Sequence, residues 1–155
     1  MYRHREIILT VLCIAMFSSA NVNAENRLEN QPGFKIAAKQ VLSVMNKWAR
    51  AWAQLDASTY ISSYSPGYIG KGFPSHFMWA ASRQHRLENQ KNIKLSFADV
   101  EILSTKKGLF TVKFTQRYES NNYQDTTRKQ LDFKLVKGDW YIVAEKSFPK
   151  LKKTK

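Results

Sequence analysis

Three sets of residues in this chain have types and spacings that could do chemistry. Trp79, Arg83 and Arg86 fall at i, i+4 and i+7, so a helix would carry them on one face. A guanidinium donates paired hydrogen bonds to a carboxylate or phosphate and also stacks on an indole, so this set reads as an anion clamp. The alternative is a pair of arginines whose stems buttress the helix against a sheet. In the second set, Gln116, Tyr118, Tyr123, Asp125, Thr127 and Lys129 share alternation with core-type residues, which on strands would point them inward. An inward polar group left without a partner costs about 1–3 kcal/mol, so water in a pocket or a ligand must supply one. Tyr60 and Tyr64 form the third set, one helical turn apart, each offering an apolar face and a polar tip for packing or for lining a cavity.

Catalysis asks for more. A general base must stand within reach of a proton, and past residue 24 the only histidines are His76 and His85, with no HExxH or paired metal-ligand spacing. Asp125 with Tyr118 or Tyr123 is the one acid–tyrosine set, and its position beside a turn equally suits a solvated carboxylate. No phosphate-binding loop, nucleophile elbow or zinc motif is present. The expectation is therefore a non-catalytic module with no cofactor and no metal.

Composition narrows the partners. Residues 1–24 run from a basic lead through the apolar stretch Ile7 to Phe17 to Val22-Asn-Ala24, the order of a secretory signal cleaved after Ala24. The apolar run of 11 residues falls short of the roughly 20 that a membrane span needs. Cleavage would remove Cys13, leaving neither a disulfide nor a thiol nucleophile. It would also remove Arg3, Arg5 and Glu6, taking 25 basic and 12 acidic residues to 23 and 11, a net charge of +12. Such a charge draws anionic partners. In a periplasmic or secreted protein those are cell-envelope ligands or acidic protein segments rather than nucleic acid. Residues 25–35 read as a linker, 36–148 as the domain, and 149–155, after Phe148, as a basic tail.

The elements that must position these residues follow from periodicity. Ala38, Val41, Met45, Trp48, Trp52 and Leu55 recur at steps of three and four and predict an amphipathic helix over about 35–55. Trp48 and Trp52 on that face read as core. Asp56 is placed to cap a short helix carrying Tyr60 and Tyr64, ended by Pro66-Gly67, and Ser75 to cap a third helix reaching about Gln90. Strands follow. Ile93, Leu95 and Phe97 switch parity to Val100 and Ile102, which predicts a bulge near Ala98-Asp99. Phe110 to Tyr118 and Tyr123 to Leu135 alternate as two further strands, and Lys137-Gly138 is a tight turn into Trp140, Ile142 and Ala144. That turn sets Leu135 opposite Trp140, Phe133 opposite Ile142 and Leu131 opposite Ala144. A turn at Ser120-Asn121 sets Tyr118 opposite Tyr123 and Gln116 opposite Asp125.

Three helices before a bent antiparallel sheet of about four strands form an α+β cone. In its order this resembles the nuclear transport factor 2-like fold. The patterns Trp48, Ala51, Trp52, Asp56, Tyr60, Tyr64; then Trp79, Arg83, Arg86; then Phe114, Gln116, Tyr118, Ser120, Tyr123, Asp125, Lys129, Leu131; and Trp140, Ile142, Glu145 resemble, more narrowly, the C-terminal module of some bacterial L,D-transpeptidases. The transpeptidase domain with its catalytic Cys and His is missing from this sequence. The resemblance implies an accessory domain recognising an anionic ligand, such as a cell-wall fragment or a partner's acidic segment, with Tyr60, Tyr64, Trp79, Arg83, Arg86, Gln116, Tyr118, Tyr123 and Lys129 as the candidate binding residues. It leaves a small-molecule isomerase, cyclase or hydrolase in the same cone as the alternative. Members of the fold pair through their sheets, but Lys113, Arg117, Arg128 and Lys134 on the outer strand face favour a monomer over a homodimer.

Overall fold

A computed structural model describes residues 32–148 except 107. The signal-like segment, the linker as far as residue 31 and the basic tail lie outside the described residues. Three helices, α1 (Pro32–Ala53), α2 (Ala57–Ser62) and α3 (His76–Glu88), precede four strands, β1 (Lys94–Lys106), β2 (Leu109–Glu119), β3 (Gln124–Val136) and β4 (Asp139–Phe148). The strands form one antiparallel meander in the order β1-β2-β3-β4.

Helix α1 begins three residues earlier than periodicity predicts, at Pro32, whose fixed φ suits a first turn and whose missing N–H would have had no partner there. It ends in a left-handed residue, Leu55 at φ 62°, with Asp56 N–H donating to Ala51 O at 2.9 Å and Leu55 N–H to Trp52 O at 3.2 Å. That is a Schellman closure made without glycine. The two predicted caps form: Asp56 accepts from Thr59 N–H and Ser75 from Met78 N–H. Val41, Met45, Trp48 and Ala51 are the buried face of α1, and Trp52 is half-buried. They meet Phe110, Val112, Phe114, Leu131, Phe133 and Ile142 of the sheet's inner face in one core.

Besides an irregularity between Ser104 and Lys106 near the β1–β2 turn, two bulges shape the sheet. The first lies between Ala98 and Glu101, where predicted, with Asp99 at φ 52°. The second was not expected. Phe133 pairs with Ile142 and Asp132 with Ala144, so one residue of β3 is matched by two of β4, and Leu131 then faces Glu145 instead of Ala144. The extra residue inverts the alternation of β4 and carries Glu145 onto the inner face. Its neighbourhood is pinned from outside: the segment after α2 bridges Ile142 through Ser65 N–H to Ile142 O and Ile142 N–H to Ser63 O, both at 2.9 Å.

The β2–β3 register also differs from expectation. Tyr118 pairs with Asp125, Gln116 with Thr127 and Phe114 with Lys129, a shift of two, because the loop is four residues long and closes through Ser120 N–H to Tyr123 O at 2.8 Å. A shift of two preserves the face, so Gln116 and Lys129 still point inward. The β3–β4 turn is as predicted, with Lys137 and Gly138 both at positive φ, 52° and 97°.

Candidate functional site

The polar centre of the cone is a buried chain of donors and acceptors assembled from α1, α2, the segment after α2, β3 and β4. Lys129 Nζ donates to Glu145 Oε1 at 2.6 Å, and their side chains are only 10% and 14% exposed. Tyr64 donates its hydroxyl proton to Glu145 Oε2 at 2.8 Å. Tyr64 Oη also receives Trp48 Nε1–H at 3.0 Å and lies 3.1 Å from Tyr60 Oη. Since the single proton of Tyr64 is given to the carboxylate, Tyr60 must be the donor in that last contact. The ammonium of Lys129 also stands 5.3 Å from the centre of the Trp52 ring.

Electrostatics hold these groups in fixed states. Burial pushes the Glu145 carboxyl up, but the Lys129 charge and the hydrogen bonds from Lys129 and Tyr64, with Arg83 further off, bring it below the ordinary value. Burial first, and the Glu145 charge after it, raises Tyr60. Burial, then Tyr60 and Glu145, raises Tyr64 well above the usual phenol. Tyr68 is pushed up to about 12 by the same two causes, burial leading. At neutral pH the centre is an ion pair wrapped in neutral phenols. A carboxylate held this firmly ionised, with both oxygens engaged, is poorly matched to proton abstraction.

The predicted residues divide by position. Tyr60, Tyr64, Trp79, Gln116 and Lys129 are all buried. Tyr118 is half-buried, its ring 5.6 Å from Trp52 and 6.0 Å from Tyr123, which is 60% exposed. Trp79 is packed among Tyr64, Tyr68 and His76, and the backbone of Gly70 lies so close that a Cβ there would meet Trp79 Cδ1 at 2.1 Å. The indole is thus a wall under the 65–74 loop. Arg83 is half-buried and its charge is felt by Tyr60, Tyr68 and Glu145, so it overlooks the same centre. Arg86, one turn on, is exposed. Lys129, a candidate binding residue, is paired with Glu145. Asp125 is half-buried and accepts from Thr127 Oγ1.

Three buried polar atoms among the described residues lack a partner: Trp79 Nε1, Arg83 Nε and Gln116 Oε1. Outside the cone, a groove of about 620 Å³ runs between α2, α3 and β4, lined by Ala57, Ile61, Ser62, Pro66, His76 and Tyr141 among others. No group of three or more metal-ligating side chains occurs among the described residues. Residue-type reasoning gave Glu145 no role. The signal was its spacing: Trp140, Ile142 and Glu145 step by two and then three, which only a bulge reconciles with a shared face.

Residues 40–146 match the model of the Cds6 C-terminal NTF2-like domain. The chain belongs to that family. This Cds6-type NTF2-like domain shares its fold with Bd1075 of Bdellovibrio bacteriovorus, at a TM-score of 0.69 and 20% identity over 80% of this chain and 44% of that one. It is similar to the helical cell shape determining protein Pgp2 of Campylobacter jejuni, in its K307A form, at a TM-score of 0.65 and 22% identity over 75% and 41% of the two chains. An NTF2-like protein of unknown function from Pseudomonas putida KT2440 matches at a TM-score of 0.62 and 14% identity, over 76% and 97%. The chain spans less than half the length of the first two. No functionally curated protein matches it. At these identities the structural likenesses show the fold, and the α+β cone inferred from sequence is the observed one.

Proposed function

We propose that this NTF2-like domain is an exported, non-catalytic accessory module that binds an anionic ligand at the α3 side of its cone, with Arg83 as the anchor. The observation that carries the reading is the state of that guanidinium. It stands over a centre whose Lys129 and Glu145 charges cancel, it makes no ion pair among the described residues, and its Nε has no acceptor. An incoming carboxylate or phosphate would satisfy it through charge-assisted hydrogen bonds. Gln116 Oε1, at the polar end of the inner face, could accept from an amide or hydroxyl of the same ligand. The signal-like leader and the likeness to a cell shape determining protein make a cell-wall fragment the first class to test, ahead of an acidic partner segment.

The test is calorimetric titration of the protein with soluble disaccharide-peptide fragments of peptidoglycan. Arg83→Lys keeps the charge and loses the planar fork, so affinity should fall by about one to two orders of magnitude, the equivalent of 1.5–3 kcal/mol. Melting temperature should stay near that of the parent. Unchanged affinity in this variant would sink the proposal, and parallel losses of affinity and stability would mark Arg83 as a buttress. The alternative, a small-molecule isomerase, cyclase or hydrolase, requires a base; Glu145 is engaged in its ion pair, and Asp125, which accepts from Thr127 Oγ1, is the carboxylate it would call on.

A further inference from the structure

The helices cover only the inner face of the sheet, and the outer face has a charge pattern that the cone does not use. Most of its acidic side chains are engaged by neighbours, Glu119 by Lys94, while Asp139 beside the β3–β4 turn is exposed and makes no ion pair among the described residues. Asp132 accepts from Thr111 and Gln130, Asp99 from Thr115, and Glu101 pairs with Arg128. Lys113, Arg117, Lys134 and Lys146 make no ion pair among the described residues, and all but the half-buried Lys113 are exposed. Register places them as an array. Lys113 pairs with Gln130 and Gln130 with Lys146, so two ammonium groups flank one rung two strands apart, roughly 10 Å at ordinary strand spacing. Lys146 reaches this face because the β4 bulge that turns Glu145 inward turns its neighbour outward. Phe148 pairs with Arg128 on the same side and is 41% exposed.

We propose that this outer sheet face is a docking surface for an anionic lipid bilayer. A broad array of unpaired cations with an apolar ring at its margin suits a headgroup plane: the lysines meet phosphates while the phenyl ring enters the boundary with the acyl chains. A second copy of the chain would set like charges against each other. An acidic protein would satisfy the cations but gives Phe148 no reason to stay exposed. The surface is distinct from the cone, so this proposal stands or falls separately from the ligand reading.

The experiment is co-sedimentation of the full chain with vesicles of phosphatidylglycerol and phosphatidylcholine, and with phosphatidylcholine alone. All variants share one N-terminus, so that any contribution of the apolar leader is common to them. Binding should need phosphatidylglycerol and be lost at 0.5 M salt, about three times physiological ionic strength. Lys113→Gln with Lys146→Gln should weaken it roughly 25-fold, from about fivefold per lysine, at unchanged melting temperature. Deleting residues 150–155 should leave that difference in place. Equal binding to the neutral vesicles, parental affinity in the double variant, or binding carried by residues 150–155 alone would overturn the proposal. Binding to soluble polyglutamate without binding to vesicles would overturn it in favour of an acidic protein partner.

Discussion

Replacing Glu145 with Gln leaves the ammonium of Lys129 buried without its counter-charge. Both side chains are nearly enclosed, at 10% and 14% exposure, so solvent screening offers little relief. Breaking one partner of such a pair costs about 3–5 kcal/mol. At about 4 °C per kcal/mol for a domain of this size, the melting temperature should fall by about 12–20 °C. Adding Lys129→Met to Glu145→Gln removes the stranded charge and should recover at least half of that loss. Thermal and urea unfolding of the parent, both single variants and the double variant close the cycle. The pH dependence adds an independent check. The Glu145 carboxyl is depressed below its ordinary 4.5 in the folded state, so its contribution is complete above about pH 4.5 and is lost as pH falls through the lower folded value. Glu145→Gln should flatten that acid limb. A single-variant cost under about 1 kcal/mol, or a double variant equal to the sum of the singles, would refute the idea that the pair organises the centre.

Gly70→Ala should destabilise the domain by about 1–3 kcal/mol and shift tryptophan emission, because the new methyl group would meet the buried Trp79 indole at 2.1 Å; unchanged melting and fluorescence would argue that the 65–74 loop is loosely seated. Lys137→Asn should stabilise by a few tenths of a kcal/mol to about 1 kcal/mol, since Lys137 holds φ 52° in a turn that favours Asn-Gly, and urea unfolding measures it. In an alkaline titration followed by phenolate absorbance, Tyr68 should ionise near pH 12, and Tyr60 and Tyr64 only later or on unfolding. N-terminal sequencing of the protein recovered from outside the cytoplasm should begin near Glu25; an intact chain recovered from the cytoplasm would remove the cell-envelope reading.

Much of this architecture could be read from residue types because each element obeys one rule locally. The α1 stripe, the caps at Asp56 and Ser75, the bulge at Asp99 and the Lys137-Gly138 turn all carry their signal within a few residues. What escaped reading depends on contacts made at long range. Ile142 is bonded to Ser63 and Ser65 from the other side of the chain, and the bulge beside it decides that Glu145 enters the core. Lys129 pointed inward in the alternation, and a buried lysine demands a carboxylate. Strict alternation from Trp140 hid the one available. Trp79 and Arg83 share a helical face, but only the approach of Gly70 shows that the indole is a wall while the guanidinium remains unsatisfied.

The short bridge between Tyr64 and Ile142 also bears on how the protein avoids its own kind. β4 is the last strand of an open meander, and a bare terminal strand is a template on which another chain can add itself and begin a growing stack. Here the middle of that strand is already occupied by a parallel stub from the helical layer, and the bulge next to it breaks the regular spacing an invading strand would need. The stub is held by Tyr60 and Tyr64 in the core, so exposing the template requires prising the helices from the sheet. Self-association through β4 is thereby coupled to global unfolding, and a chain that keeps its tyrosine cluster intact keeps its margin closed.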